Sequence, residues 1–509
     1  MAMLYIMIFF FLQLNIYHTF RSLGTDLGIF TQAFWNTIHG NGIFYNNIEW
    51  QLHHGVQTHF GVHNSPILFM LLPAYYLFPR PQTLLFLQTL AIGLSAYPLY
   101  LLAREVLRRE RVAVLMVLLY LFNPALHGIN LYDFHAVPFA MPFIFLTAYF
   151  IEKENLKAAF ISSLLVLSVK EDAGLAVLSL GLFYLLKDGS IFSRSTYQKF
   201  YLFMISVSLI WIILSIKLVI PHFAPAGYEY TGLYGKDCSG YAYQKILFFL
   251  LVNLSWGMLT FLRPRYYLLL TAIPWAEMLA SCRWEMFVIG THYPYMVVPL
   301  SFIGIIYALR DLHPWVLSRI VPAGIIIGLL SSVALTPALP FLSLHSSLPV
   351  VYWGYEEVTP HHRLLEEITG RLEKSGYRIL TQNDIFPHLA NNGGTYFIWI
   401  DIYRNLHNPR YLTETLSIDV ILLDSKLERY HTSVRPQLLE YFKEAGYLRI
   451  VEIDGIQIYV RKDLKRDKSL LAIIAHSRAN FPAPPARSVR CLFCFPRCLW
   501  FCRLFSHSP

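Results

Sequence analysis

Charge is scarce in this chain. Asp, Glu, Lys and Arg supply only 14% of its 509 residues, while 55% are hydrophobic and 16% aromatic. That balance excludes a water-soluble globular protein, in which about a quarter of the residues carry charge. Cysteine is scarcer still. Four of the six, Cys491, Cys494, Cys498 and Cys502, crowd near the C-terminus, and Cys238 and Cys282 lie far apart, so no disulfide framework is legible. A cleavable leader lacks its marks as well: residues 1–20 open without a positive segment, and no small-residue cleavage site precedes Arg21. They read as a retained first span. No internal repeat of the kind that marks transporter halves stands out.

What is present is a long series of apolar stretches, each near the length a helix needs to cross about 30 Å of hydrocarbon with its backbone groups paired internally. They fall at 2–20, 83–103, 112–127, 137–151, 157–169, 173–187, 200–220, 246–262, 266–281, 295–309 and 320–337, which makes about eleven spans. The segment from Asn64 to Phe78 is apolar too. Pro66 and Pro79 bracket it, and it reads as an interfacial or re-entrant helix.

The net charge of +9 sits in short clusters between apolar runs, not along one face, so it reads as a topology signal and gives no indication of nucleic acid. One set of connections holds Arg104, Arg108, Arg109, Arg111, Lys153, Lys157, Lys187, Arg194, Lys199, Arg263, Arg265, Arg310 and Arg319; the opposite, longer set holds only Arg21, Arg80, Lys170, Lys236, Lys245 and Arg283. The first set is expected in the cytoplasm and the second outside, in the plasma membrane.

After the last span the pattern changes. Residues 1–340 are expected to form the membrane domain, with an outer loop at 21–82, and 341–463 a small extracytoplasmic α/β domain. Strands are expected at 377–381, 396–400, 420–423, 449–453 and 456–460, and helices at 361–375 and 435–445. Asp454-Gly455 is a two-residue hairpin loop of the type I′ kind. The basic, Cys-rich stretch 464–509 is expected to be disordered, its thiols too tightly spaced for a zinc knuckle.

Residues suited to acid–base or ion-binding work cluster on the outer side. In the first loop Asp26 opens a run with Leu27, Phe30, Phe34 and Ile38 on one helical face, which predicts a short helix lying on the membrane surface. A cap is the plain role for Thr25 or Asp26 there. Further along come His53, His54, His59 and His63, the last two spaced to share a helix face. Later outer turns carry His127, Tyr132, Asp133 and His135; Lys170, Glu171 and Asp172; and Arg283, Glu285, His292 and Tyr295. Three charges in one short turn between apolar stretches are costly wherever they meet lipid; they read equally as a functional group and as markers of the interface with a local Lys–Glu pair.

The runs Asp26-Leu-Gly-Ile-Phe-Thr-Gln-Ala-Phe-Trp-Asn-Thr-Ile-His-Gly40, His59-Phe-Gly-Val-His63-Asn-Ser-Pro, Lys170-Glu-Asp172, Gln382-Asn-Asp-Ile-Phe-Pro-His388 and Asp454-Gly455-Ile resemble the membrane family called domain of unknown function 2079. The resemblance covers roughly residues 5–463 and departs at Thr31, where the family leads one to expect an acidic residue. That family's plan in turn resembles the GT-C-fold glycosyltransferases, which take a sugar from a polyprenyl-phosphate carrier.

The implied fold is therefore a GT-C-like polytopic membrane protein, and the implied activity transfer of that sugar to an extracytoplasmic acceptor. By the same resemblance Asp26 maps to the acidic residue of the first outer loop, with Lys170, Glu171 and Asp172 as looser catalytic candidates. Gln32, Trp35, His59, His63, Asp133, His135, Arg283, His292 and Tyr295 are the substrate-binding candidates. The GT-C fold includes metal-dependent and metal-independent members, so a divalent ion stays an option. A multi-pass transporter or a non-catalytic receptor or scaffold is the competing reading. Asp384, His388, Asn391 and Asn392 are exposed-loop candidates in the soluble part, where turn formation explains the asparagines equally well.

Overall fold

The structure, a computed structural model, describes residues 1–187, 195–224, 226–234, 238–340, 348–427 and 436–467. The Cys-rich stretch and the four cysteines within it lie outside the described residues.

The described residues up to 340 are mostly helical because long apolar runs can satisfy their backbone only internally. Among the described residues four helices are long and apolar enough to cross a membrane: Pro81–Leu107, Thr196–Phe223, Tyr293–Arg310 and Ser318–Leu335. The pair Glu110–Leu121 and Pro124–Leu131, bent by 48° at Asn123-Pro124, makes a fifth if taken as one span. The expected count of about eleven is thus not met by helix length alone. Ala2–His18 has 17 residues, Gly174–Leu186 and Ala242–Leu254 have 13 each, and Leu156–Leu167 has 12. At about 1.5 Å per residue these cover roughly 18 to 26 Å, because glycine, proline and charged turns end them early.

Leu68–Leu77 has ten residues with Pro73 inside and exposes Phe69, Met70, Tyr76 and Leu77. It is too short to span, as the interfacial reading requires.

The helices connect two ends of different character. Lys153 pairs with Glu105 at 3.2 Å, Lys187 with Glu152 at 3.2 Å, and Arg265 donates to the Leu186 carbonyl at 2.7 Å. The cation-rich connections therefore gather at one end. The opposite end carries the first outer loop, the turns at 132–135 and 170–172, the segment 226–234 and the loop 281–296.

Upon that second end sits a five-stranded sheet. Its strands are β1 (Ile379–Thr381), β2 (Thr395–Phe397), β3 (Val420–Asp424), β4 (Tyr447–Ile453) and β5 (Ile456–Arg461), in the order β2-β1-β3-β5-β4. β1 runs parallel to β2 and β3, and β5 is antiparallel to β3 and β4. Asp454 (φ 53°) and Gly455 (φ 94°) both take the left-handed conformation that a type I′ turn requires. Pro360–Glu373 and Pro436–Glu444 are the two expected helices.

The sheet unit is docked edge-on. Gln32 Nε2 and Asn47 Nδ2 donate to carbonyls at Asn392, Gly393 and Thr395, and Gln51 exchanges two hydrogen bonds with the Phe397 backbone. Side-chain amides of the first outer loop thus occupy the otherwise open edge of β2, where a strand leaves unpaired backbone groups.

Two expectations fall here. The helix Ile29–Ile38 does not offer its apolar face to lipid; Ile29 to Phe34 and Asn36 are all buried, since the helix is packed against the sheet unit on one side and the helical bundle on the other. Nor are Asp384 and His388 exposed. Both are buried, and the His388 ring lies between Tyr17 at 4.0 Å and Phe20 at 3.8 Å, burial pushing it down to about 3. Asn391 joins the same docking, donating to the Pro79 carbonyl and accepting from Tyr75.

Candidate active site

The first outer loop meets the sheet unit at two glycines. A Cβ on Gly24 would lie 2.9 Å from Asn383 Oδ1, and one on Gly28 would lie 2.6 Å from the Phe386 ring. Their absence lets Gly24 N–H donate to the Asn383 carbonyl at 2.7 Å. Leu23 N–H is held in turn by Asp133 Oδ2 at 2.7 Å. Between these anchors Gly24–Gly28 forms a π-helical turn, and Asp26 faces a cavity. Neither Thr25 nor Asp26 caps the turn with its side chain. Asp26 Oδ1 lies 3.2 Å from His135 Nε2 instead.

The His135 ring stacks on His292 at 3.8 Å, with Tyr132 beside both. Nδ1 of each histidine is buried without a protein partner among the described residues. Burial, reinforced by His135 and by the cations Lys170 and Arg283, holds His292 well below the ordinary imidazole range, so it is neutral. Asp133 shifts the other way. Burial first, then the neighbouring charge of Asp26, lifts its carboxyl to about 8.

On the next wall His59 Nδ1 meets Glu49 Oε1 at 2.7 Å, and His63 Nδ1 meets Glu171 Oε1 at 2.8 Å. Burial opposes charge on Glu49, but His59 outweighs it and the carboxyl ends below its usual range. Glu171 is held down in the same way by His63, and it also accepts from Asn64 N–H and the Tyr228 hydroxyl. His59 and His63 share a neighbourhood, their rings 5.8 Å apart, but each spends Nδ1 on a carboxylate. Among the described residues no three His, Cys, Asp or Glu converge so as to hold a metal ion.

Lys170 Nζ is 2.8 Å from Asp172 Oδ2, and Tyr295 donates to Asp172 Oδ1 at 2.6 Å. Arg283 pairs with Glu285 at 3.4 Å and lies over the Tyr293 ring. The cavity measures about 1010 Å³. Asp26, His59, His63, His135, Lys170, Asp172, Arg283 and His292 all line it.

The remaining candidates stand elsewhere. Glu171, Asp133 and Tyr295 are buried behind the wall, each holding a residue that lines it. Gln32 belongs to the docking of the sheet unit, and Trp35 stacks on His39 at 3.7 Å, away from the cavity. The lining also includes residues that the pattern along the chain did not single out: Glu49, Tyr230, Tyr293, Trp353 and, from the sheet unit, Asn383, Trp399, Ile400 and Tyr403. Only the density of aromatics around these positions hinted at them. Cys238 and Cys282 are joined in a disulfide that ties the segment bearing Tyr228 to Tyr234 to the loop bearing Arg283.

A family model described as a predicted membrane protein (DUF2079) matches residues 17–457. Among solved structures, ArnT from Cupriavidus metallidurans bound to undecaprenyl phosphate superposes with a TM-score of 0.55 at 11% identity, over 90% of this chain and 97% of that one. The apo state of the same protein gives 0.50 at the same identity and coverage. At this identity the likeness establishes the fold. No curated protein matches by sequence.

Proposed function

The chain belongs to the DUF2079 family of predicted membrane proteins, and from that premise we propose that it is a GT-C-type glycosyltransferase moving a sugar from a polyprenyl-phosphate donor to an extracytoplasmic acceptor. The observation that carries the reading is the cavity itself: Asp26, Lys170 and Arg283 line one space between the helical bundle and the sheet unit. The fold shared with ArnT, which was solved with undecaprenyl phosphate bound, supports a polyprenyl phosphate as the lipid partner.

In this reading the acceptor hydroxyl attacks the anomeric carbon of the donor. The new C–O bond forms as the bond to phosphate breaks, and the electron pair leaves with the polyprenyl phosphate. Asp26 takes the hydroxyl proton, oriented by His135 at 3.2 Å. Lys170 and Arg283 counter the charge gathering on the departing phosphate. The stacked His135 and His292 rings, with Asp172 and the His59 and His63 edges, hold sugar hydroxyls. Asp133, Glu171 and Tyr295 position the groups that do so.

On this reading the cavity and the sheet unit face the outside of the plasma membrane. Two observations support this: the gathering of the cationic connections at the far end, and a disulfide on the cavity side, since disulfides persist in oxidising compartments.

Purified protein in lipid, given a mixed pool of labelled polyprenyl-phosphate sugars, is expected to transfer label, and Asp26→Asn is expected to lose transfer by at least about a hundredfold while keeping its folded helical signal. Undiminished transfer by the variant removes Asp26 from the base role.

A further inference from the structure

Trp399, Ile400 and Tyr403 belong to the sheet unit, yet they line the cavity opposite the membrane helices. Trp399 and Ile400 remain 39% and 46% exposed. Large apolar groups of a docked domain normally finish inside an interface, and these two sit beside one without entering it.

They are nonetheless held firmly. The Trp399 ring stacks on Phe397 at 5.5 Å and 25°. Phe397 donates its N–H to Gln51 Oε1 at 3.3 Å and accepts from Gln51 Nε2 at 3.1 Å, and Ile398 N–H reaches the Thr381 carbonyl at 2.9 Å. The aromatic surface is therefore fixed both to its own sheet and to the outer loop that carries Asp26.

The cavity's polar lining includes carboxylates, imidazoles, the Asn383 amide and the cations Lys170 and Arg283; of these Asn383 belongs to the sheet unit, and Glu49 and His53 flank Gln51, which bonds the Phe397 backbone beside Trp399. A rigid aromatic face bordered by such groups matches a pyranose. The faces of a sugar ring present C–H bonds to the negative face of an indole, while its rim presents hydroxyls to acceptors and donors. A phosphate head group would need cations, and Lys170 and Arg283 come from the helical bundle and its loops, not from the sheet unit.

We propose that Trp399, with Ile400 and Tyr403, forms an acceptor subsite that binds a saccharide ring, so that the C-terminal domain supplies one wall of a shared binding cavity. The inference rests on the glycosyltransferase reading for the word acceptor; the sugar contact itself is testable without turnover.

The full chain in lipid nanodiscs would be examined by saturation-transfer NMR with lactose, maltose and chitobiose together, and glycerophosphocholine as the head-group control. Saturation is expected on ring C–H protons of at least one disaccharide, falling about tenfold in Trp399→Ala and returning in Trp399→Phe. Equal saturation in wild type and Trp399→Ala, none on any disaccharide, or saturation of glycerophosphocholine alone would overturn the subsite. In a transfer assay Trp399→Ala should raise the KM for acceptor about tenfold and leave the KM for donor lipid unchanged. Disaccharide binding without transfer from any donor would leave the subsite standing and remove the glycosyltransferase reading; transfer unaffected by Trp399→Ala would do the reverse.

Discussion

Asp133 illustrates how a single buried carboxyl can position a neighbour at a cost that depends on pH. It fixes Leu23 N–H at 2.7 Å and so sets the turn that presents Asp26, but burial and the Asp26 charge raise its carboxyl to about 8. The native state therefore keeps a proton that the unfolded chain loses near the usual value of 3.8. Stability falls as pH rises through the interval from about 4 to about 8, by up to about 1.4 kcal/mol for each step of one in pH. Asp133→Asn keeps an acceptor for Leu23, tolerates the local φ of 51° and removes the titration. The difference in Tm between variant and wild type is expected to widen in the variant's favour between pH 5 and pH 9; a constant difference would show that Asp133 does not titrate in the folded protein. That Asp26, Lys170 and Arg283 sit in polar connections between apolar runs was legible. The roles of Glu171 and Tyr295 behind the wall were not, because which side of a charged turn faces a cavity depends on partners over a hundred residues away.

Among the elements, the hairpin at Asp454-Gly455 and the amphipathic helix Pro360–Glu373 follow from local rules. A type I′ turn needs two residues tolerant of positive φ, and Leu364, Leu365, Ile368 and Leu372 recur at the helical period and are all buried. The helix Ile29–Ile38 shows where such rules stop. Its apolar face predicted a membrane-surface helix, and its polar residues Gln32 and Asn36 are buried instead, satisfied by or packed against the sheet unit and the loop that follows. Two glycines separate a docked element from a free one. Gly28→Ala would drive a methyl to 2.6 Å from the fully buried Phe386 ring and is expected to destabilise docking by about 1–3 kcal/mol. Gly370→Ala, in open space on the helix Pro360–Glu373, should stabilise by about 0.5–1 kcal/mol. Limited proteolysis of the sheet unit reads the pair; equal behaviour of the two variants would argue against tight docking through the first loop.

The whole molecule is held as a cavity between two units, and the Cys238–Cys282 link crosses its rim. Closing a loop over a sequence separation of 44 stabilises by about 2–4 kcal/mol. Cys238→Ser with Cys282→Ser is expected to lower Tm, and reduction of the wild type should reproduce that value. In intact cells a membrane-impermeant reductant followed by an impermeant maleimide should label both cysteines; labelling only after permeabilisation would put the cavity in the cytoplasm and refute the proposed orientation.

The sequence by itself determined that this chain belongs in a membrane, that its cations fall in one set of connections, and that a small α/β unit with a tight hairpin follows the helices. Those properties rest on composition, spacing and turn chemistry, which are local. Only the tertiary structure decided that the sheet unit packs edge-on against the first outer loop, that two distant cysteines meet, that His135 and His292 stack beside Asp26, and that Trp399 faces the same space. Each of these depends on residues between 44 and more than 300 positions apart, and packing brings them together where no periodicity along the chain can.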